Sequence, residues 1–256
     1  MAASIDLNAD LGESFGAWRM GADEAMLGLV TSANLACGFH AGDPMTMRAT
    51  TAAAAERGVV VGAHPSYRDL AGFGRRFLDV ASDELAADVL AQLGALEAFC
   101  RVADTRISYV KPHGALYNAT ARHEGQAAAV IRAVRAFDPE LAVLGLPGSA
   151  LLHYAADAGL RPVAEAFADR AYAADGTLVP RAVSGAVLED PVVVAERSVA
   201  LAQHQRVTTL DGVQIPMVAE SLCVHGDTPG AVVLARAVRT ALDNAGVSVR
   251  PFLGSA

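Results

Sequence analysis

Short apolar runs recur at 4–8, 31–36, 59–63, 107–111, 141–146, 162–166 and 221–225, and each stops at a small polar cluster. Runs this short and this apolar predict strands buried on both faces. Between them the hydrophobic period lengthens. In 82–103, Leu85, Val89, Leu93, Leu96 and Cys100 recur at spacings of four and three, one stripe of an amphipathic helix. Ser82 is its expected N-cap, with Asp83 and Glu84 in a first turn that favours negative charge. Further helices are predicted near 44–57, 123–137, 149–159, 191–204 and 229–245. Asp43-Pro44, Asp190-Pro191 and Thr228-Pro229 each place a capping side chain before a proline suited to the first helical position.

Strand and helix alternate throughout, with no repeat, low-complexity tract or linker, so a single α/β domain spanning 1–256 is expected. An open doubly wound sheet gathers its site mainly at one switch point, whereas a barrel gathers residues from every strand end. Polar clusters at nearly every strand exit therefore predict an irregular seven-stranded β/α barrel. The long irregular stretch 168–189 is expected to be a lid or a binding loop.

Composition narrows the functional classes. The 256 residues carry a formal charge of -8 and only 5% aromatic residues, which argues against nucleic acid and against an anionic membrane surface. Three cysteines, Cys37, Cys100 and Cys223, are too scattered for a disulfide framework or a paired-cysteine zinc site. The first residues lack the basic and apolar regions of a signal peptide, and no apolar stretch reaches the roughly 18 residues of a membrane span. A cytoplasmic location is expected. Lys111 is the single lysine among twenty basic residues, and it sits in Val-Lys-Pro-His-Gly, so no P-loop is present.

The polar clusters supply the chemistry. Asn8 and Asp10 share one face of the first strand, and a carboxylate there suits a general base, a metal ligand or a substrate anchor. Glu13 follows closely. Asn34 lies within the second run, and Cys37, His40 and Asp43 follow it. Cys37 is expected to be a buried thiol rather than a nucleophile, and Asp43 a helix cap. His64 ends the third run, before proline and a basic loop. Lys111 offers a compact cation and His113 a proton-transfer group at neutral pH. Gly148-Ser149 is either an anion site or an ordinary cap. Glu165, Asp169 and Arg170 suit an ion pair or a zwitterionic substrate, and His225 with Asp227 closes the ring. His123, His153 and His204 fall on helical stretches and are expected at the surface. Gly12-Glu13-Ser14-Phe15-Gly16 formally matches a nucleophile elbow, but no helix pattern starts soon enough after it.

Six ordered blocks resemble the LamB/YcsF family over nearly the whole chain. They are Asp6-Leu7-Asn8-Ala9-Asp10-Leu11-Gly12-Glu13, 32–44, Gly62-Ala63-His64-Pro65-Ser66-Tyr67 with 69–76, Lys111-Pro112-His113-Gly114-Ala115-Leu116-Tyr117-Asn118, 165–172 and 224–229. The resemblance implies a barrel of the sugar-deacetylase class and ATP-dependent opening of the 5-oxoproline lactam to glutamate. It also implies a complex with two partner subunits that would bind ATP and phosphorylate the lactam oxygen. In that scheme Asp10 and His64 would hold or deprotonate water, while Lys111 and His113 would stabilise the intermediate and move a proton. Asn8, Asn34, His40 and Arg170 would orient the substrate. A deacetylase-like metal site wants paired aspartates and two adjacent histidines. Here the pair is Asn8/Asp10 and no second histidine lies near His64 in the sequence, so Asp10, His40 and His64 are the candidate ligands of a divalent ion. The alternatives are a self-sufficient metal-dependent deacetylase or amide hydrolase, and a non-catalytic substrate-binding subunit.

Overall fold

In the first strand, β1 (Ser4–Leu11), polar and apolar residues alternate strictly: Ile5, Leu7, Ala9 and Leu11 enter the main hydrophobic core while Asp6, Asn8 and Asp10 take the opposite face. The computed structural model describes residues 3–226 and 230–253. Within them β1 is followed by α1 (Asp23–Leu27), β2 (Ser32–Ala36), α2 (Pro44–Glu56), β3 (Val60–His64), α3 (Ser82–Val102) and β4 (Ile107–Val110). Next come α4 (Gly114–Thr120), α5 (Glu124–Phe137), β5 (Ala142–Gly145), α6 (Ala150–Asp157), β6 (Arg161–Phe167) and α7 (Pro191–His204). The chain continues through β7 (Arg206–Thr208), β8 (Gln214–Pro216), β9 (Ser221–Cys223), α8 (Ala231–Asn244) and β10 (Ser248–Val249).

Strands β1 to β6 pair in sequence order, all parallel, and β9 pairs with both β6 and β1. The sheet is therefore a closed seven-stranded barrel, as expected, with β10 adding a short parallel pairing at the start of β1. Strands β7 and β8 form a separate antiparallel hairpin. Helices cover the outside. The apolar stripe of α3 is wholly buried at Leu85, Val89, Leu93, Leu96 and Cys100, and α3 packs on α5 as α7 packs on α8. Each such leucine contributes roughly 1.5–3 kcal/mol by leaving water. No helix among the described residues is long and apolar enough to cross a membrane.

The barrel interior departs from the expectation of strands that are apolar on both faces. The inward side chains of β1 bond to inward side chains of β2, β6 and β9 and to Lys111 just beyond β4, forming a polar column. At its lower end, near the start of β1, Asp6 accepts hydrogen bonds from Thr31, Ser32 and Ser221. Burial pushes its carboxyl up to about 6 against these bonds. The other half of the interior is apolar: Tyr109, Ala142, Leu144 and Val163 pack together, with Phe252 and Leu253 against them. Gly62 has a steric reason. A methyl group there would overlap the ring of Tyr109, whose hydroxyl donates to Asn34 Oδ1 at 2.7 Å.

Two cap expectations are met. Asp43 accepts from the backbone N–H groups of Met45 and Thr46, and Asp190 accepts from that of Val192. Ser149 likewise caps α6 through Leu152. Ser82 does not cap α3: Ala81 occupies the cap position, and the Ser82 hydroxyl reaches the Gly125 carbonyl instead. Thr228-Pro229 lies outside the described residues. The stretch 168–189 is irregular, as expected, with only isolated bridges at Arg170–Val187 and Tyr172–Leu178.

Candidate active site

Parallel strands deliver their C-terminal ends to one mouth, where a cavity of about 470 Å³ opens. Asp10, Glu13, His64, Lys111, His113, Arg170 and His225 all line it. Lys111 is only 1% exposed and is not a rim lysine. Its ammonium lies 3.1 Å from Asp10 Oδ1, 3.1 Å from Glu165 Oε2, 3.3 Å from Asn8 Oδ1 and 3.2 Å from Cys223 Sγ. Burial alone would strip its charge, but Asp10, Cys223 and Glu165 outweigh that and hold the pKa well above the ordinary lysine range. Asp10 is the reciprocal case. Burial pushes its carboxyl up, yet Lys111 and His64 prevail and hold it well below the usual value.

Asn8 and Asn34 sit beneath this pair rather than on the cavity wall. Asn34 donates to Asn8 Oδ1 at 2.7 Å and to Asp10 Oδ1 at 2.8 Å, while Asn8 donates to Ser221 and Glu165. Both are fully buried, so the geometry makes them supports for Asp10 and Lys111 and places neither against a substrate. Glu165 shares that floor.

The histidines form a cluster that spacing along the chain did not reveal. His64 Nδ1 lies 2.7 Å from the Lys111 carbonyl, and His113 Nε2 lies 2.9 Å from the Phe73 carbonyl. A carbonyl only accepts, so each of those nitrogens carries the hydrogen. The other two, His64 Nε2 and His113 Nδ1, are then bare in the neutral rings, yet they face each other at 3.1 Å. Asp10 Oδ1 stands 3.4 Å from His64 Nε2 and Glu13 Oε1 stands 3.3 Å from His113 Nδ1. Four acceptor atoms thus converge with no hydrogen between them, an arrangement that calls for a shared proton, a water or a cation. Among the described residues, the sets able to hold a metal are Asp10–His64–His113 and Glu13–His40–His113. His113, not His40, completes the first.

His40 is stacked on His113 with ring centroids 3.8 Å apart and reaches Glu13 at 3.3 Å. Burial, followed by the charge of His64, holds its pKa well below normal. Burial, His40 and His64 do the same for His113. Gly74, at a positive φ of 63°, packs beside the stacked pair, where a methyl group would clash with the Ser66 hydroxyl, the His113 ring and the Cβ of His40.

On the other side, Asp169 binds His225 Nδ1 at 2.9 and 3.0 Å and accepts from its backbone N–H at 3.2 Å. The His225 ring stacks on Phe167 at 5.3 Å. Asp169 therefore pairs with His225, not with its neighbour Arg170. The Arg170 guanidinium donates to the carbonyls of Ala186 and Val179, at 3.2 and 2.6 Å. Asp227 lies outside the described residues.

Several expected exclusions follow from the geometry. Burial pushes the Cys37 thiol up to about 12, and its Sγ sits 3.1 Å from the Leu35 carbonyl, so it supplies no thiolate at neutral pH. Ser14 is engaged with the backbone of Met20 on both sides. His123, His153 and His204 are exposed. Arg75 and Tyr117, which lie in the family-like sequence blocks but had no assigned role, also line the cavity, as does Arg181, which has no sequence signal and sits on an irregular stretch. Glu13 was visible close behind β1, but its bridging of two histidines was not.

The chain is similar to known proteins over nearly its whole length. A Mycobacterium avium protein named as the A-type subunit of 5-oxoprolinase is 60% identical over 98% of this chain and 99% of its own length. Its namesake from Streptomyces avermitilis is 62% identical over 97% of this chain and 99% of its own. The crystal structure of a lactam utilization protein from Thermus thermophilus superposes with a TM-score of 0.93 at 46% identity, covering 97% of this chain and all of that one. The LamB/YcsF family profile matches residues 5–256, and this chain belongs to the LamB/YcsF family.

Proposed function

We propose that this chain is the ring-opening subunit of an ATP-dependent 5-oxoprolinase, converting the lactam of 5-oxoproline to glutamate. The observation that carries the reading is the Asp10–His64–His113 group poised over a buried lysine at a cavity of small-molecule size. The names of the relatives agree with it. A resonance-stabilised lactam is a poor electrophile, and phosphorylation of its oxygen by partner subunits would make the ring carbon reactive. The absence of a P-loop here is consistent with ATP being bound by two such partners.

In this reading a water molecule sits against Asp10 and His64. As its oxygen adds to the ring carbon, its proton passes to His64 Nε2, where the Asp10 carboxylate stabilises the imidazolium. His113 Nδ1, 3.1 Å away, receives that proton and delivers it to the ring nitrogen, giving a tetrahedral intermediate that bears the hydroxyl and the phosphate. The hydroxyl then gives its proton to the same pair, which passes it to the nitrogen as the carbonyl re-forms and the carbon–nitrogen bond breaks, leaving a free amine and an acyl phosphate. The resulting acyl phosphate then loses phosphate to a second water. Lys111 keeps Asp10 ionised and sets a cation between the Asp10 and Glu165 carboxylates on the floor of the site.

The converging bare nitrogens also favour a second reading, in which a divalent cation is held by Asp10, His64 and His113. When bound it would supply Lewis-acid polarisation of the oxygen under attack. A cation and a shared proton compete for the same point, so the readings separate cleanly. ATP-dependent glutamate formation by this chain with its two partners, surviving a chelator, supports the first. ATP-independent amide or acetyl hydrolysis that chelation abolishes supports a self-sufficient metal hydrolase. Glutamate formation that proceeds equally with Asp10→Asn leaves only a substrate-binding role.

A further inference from the structure

The ring-opening steps leave one buried carboxylate of the cavity wall unused. Glu13 lines the cavity and is 5% exposed, and its Oε1 lies 3.3 Å from His113 Nδ1 and 3.3 Å from His40 Nε2. A carboxylate only accepts, and burial keeps the His40 ring neutral, so the single hydrogen of that ring sits on Nε2 and points at Glu13. The other nitrogen, His40 Nδ1, then carries none, in keeping with its lack of a hydrogen-bond partner. His40 itself does not line the cavity. It donates to Glu13 and stacks on His113 with ring centroids 3.8 Å apart, and so fixes both.

The same design stands on the other side of the histidine pair. Asp10 Oδ1 lies 3.4 Å from His64 Nε2 and is held by Lys111 and Asn34, at 3.1 and 2.8 Å. Asp10 is thus committed to His64, while the carboxylate within direct reach of His113 Nδ1 is Glu13. His113 is buried, and a proton arriving there makes a cation beside two other imidazoles, His64 and His40. A buried cation of this kind needs a counter-charge at close range. We propose that Glu13 is a positioning residue of the ring-opening reaction: its carboxylate is the counter-charge that lets His113 carry each proton to the ring nitrogen, and His40 holds it in place. The site then contains two acid–base pairs with separate tasks. Asp10–His64 serves the attacking water, and Glu13–His113 serves the departing nitrogen. That role rests on the reading of the chain as the ring-opening subunit and deepens it. No proton has to reside on Glu13, so the proton balance of the reaction is unchanged.

Steady-state glutamate formation by the three-protein complex tests this, with the partners in excess so that ring opening limits the rate and with each variant's folding checked by thermal unfolding. Glu13→Gln keeps the shape of the side chain and removes its charge. It is expected to lower kcat at least about thirtyfold and to leave KM for 5-oxoproline within about threefold, because the charge matters only once His113 is protonated. Glu13→Asp, which returns the carboxylate on a shorter stem, should recover at least about fivefold of that loss. His40→Phe keeps the stack on His113 but not the hydrogen bond to Glu13. It should lower kcat about fivefold in the wild-type background and less than about twofold further in Glu13→Gln, since His40 acts through Glu13. A kcat for folded Glu13→Gln within about threefold of wild type, or a His40→Phe loss that is equal in both backgrounds, would overturn the role of Glu13. The wild-type complex separates this from the reaction itself. No glutamate from it sinks both, whereas glutamate from wild type and from Glu13→Gln alike sinks the role of Glu13 alone.

Discussion

On one wall of the cavity Asp10, His64, Lys111 and His113 stand at strand ends and are locked by buried partners; on the other, Arg170 and Arg181 ride on an irregular stretch tied to carbonyls. The first wall holds cation and carboxylates in direct contact. Lys111 answers Asp10 and Glu165, and the imidazoles that hold no hydrogen toward one another wait for a proton or a cation. The second wall is carried by irregular backbone, with the Arg170 guanidinium held on the carbonyls of Ala186 and Val179. The contrast separates two kinds of support, since strand ends fix a side chain rigidly whereas a loop can shift as a ligand enters and leaves.

The largest effect that would break this contrast is at Lys111. Lys111→Met removes the cation and leaves Asp10 and Glu165 buried without compensation, which should cost about 3–5 kcal/mol of stability in urea unfolding. A small loss would mean that the buried charges are not coupled as the distances indicate. Asp6 gives the next effect. Its carboxyl has a folded pKa of about 6 against 3.8, so the folded state binds more protons between those values and loses stability as pH rises through that window. The penalty, about 3 kcal/mol, is complete above it. Asp10 and Asp169, held low, act in the opposite sense as pH falls further. The difference in unfolding free energy between wild type and Asp6→Asn should therefore shift in favour of the variant from pH 4 to pH 7. A pH-independent difference would contradict a strained Asp6 carboxylate.

Gly62→Ala drives a methyl group against Tyr109 and so disturbs the hydroxyl that supports Asn34, at a cost of roughly 1–3 kcal/mol. Thermal unfolding checks the stability loss. On the loop wall, Arg122→Gln breaks an exposed pair with Asp175 and should change stability by less than about 1 kcal/mol, even though Arg122 lines the same cavity. A large effect there would mean that the loop wall is as locked as the strand wall.

Much of the strand wall was legible in the sequence because strand ends carry polar residues after apolar runs, a local signal. Asp10, His64, Lys111 and His113 stood out for that reason. The closed barrel was legible from the number of such ends. What local patterns cannot contain is distance between strands: that His113 faces His64, that Asn8 and Asn34 lie below the site, and that Asp169 chooses His225 over Arg170. Two further features do have a local signal. The alternation Ser-Ile-Asp-Leu-Asn-Ala-Asp-Leu of β1 marks one polar face, and Asp211-Gly212 between two short β-prone runs marks the β7–β8 hairpin. Helix α4 is seven residues long and too short to show a period. Arg181 belongs to a stretch with no regular pattern, and nothing local singles it out.

The account turns on Asp10 and His64 acting on water at the strand wall. Its most direct test is ATP-dependent glutamate formation from 5-oxoproline by this chain with its two partner subunits, comparing wild type with Asp10→Asn at matched folding. The account predicts glutamate with the wild-type chain and at least about a hundredfold lower turnover with the variant. Wild-type turnover by a folded Asp10→Asn complex would contradict it.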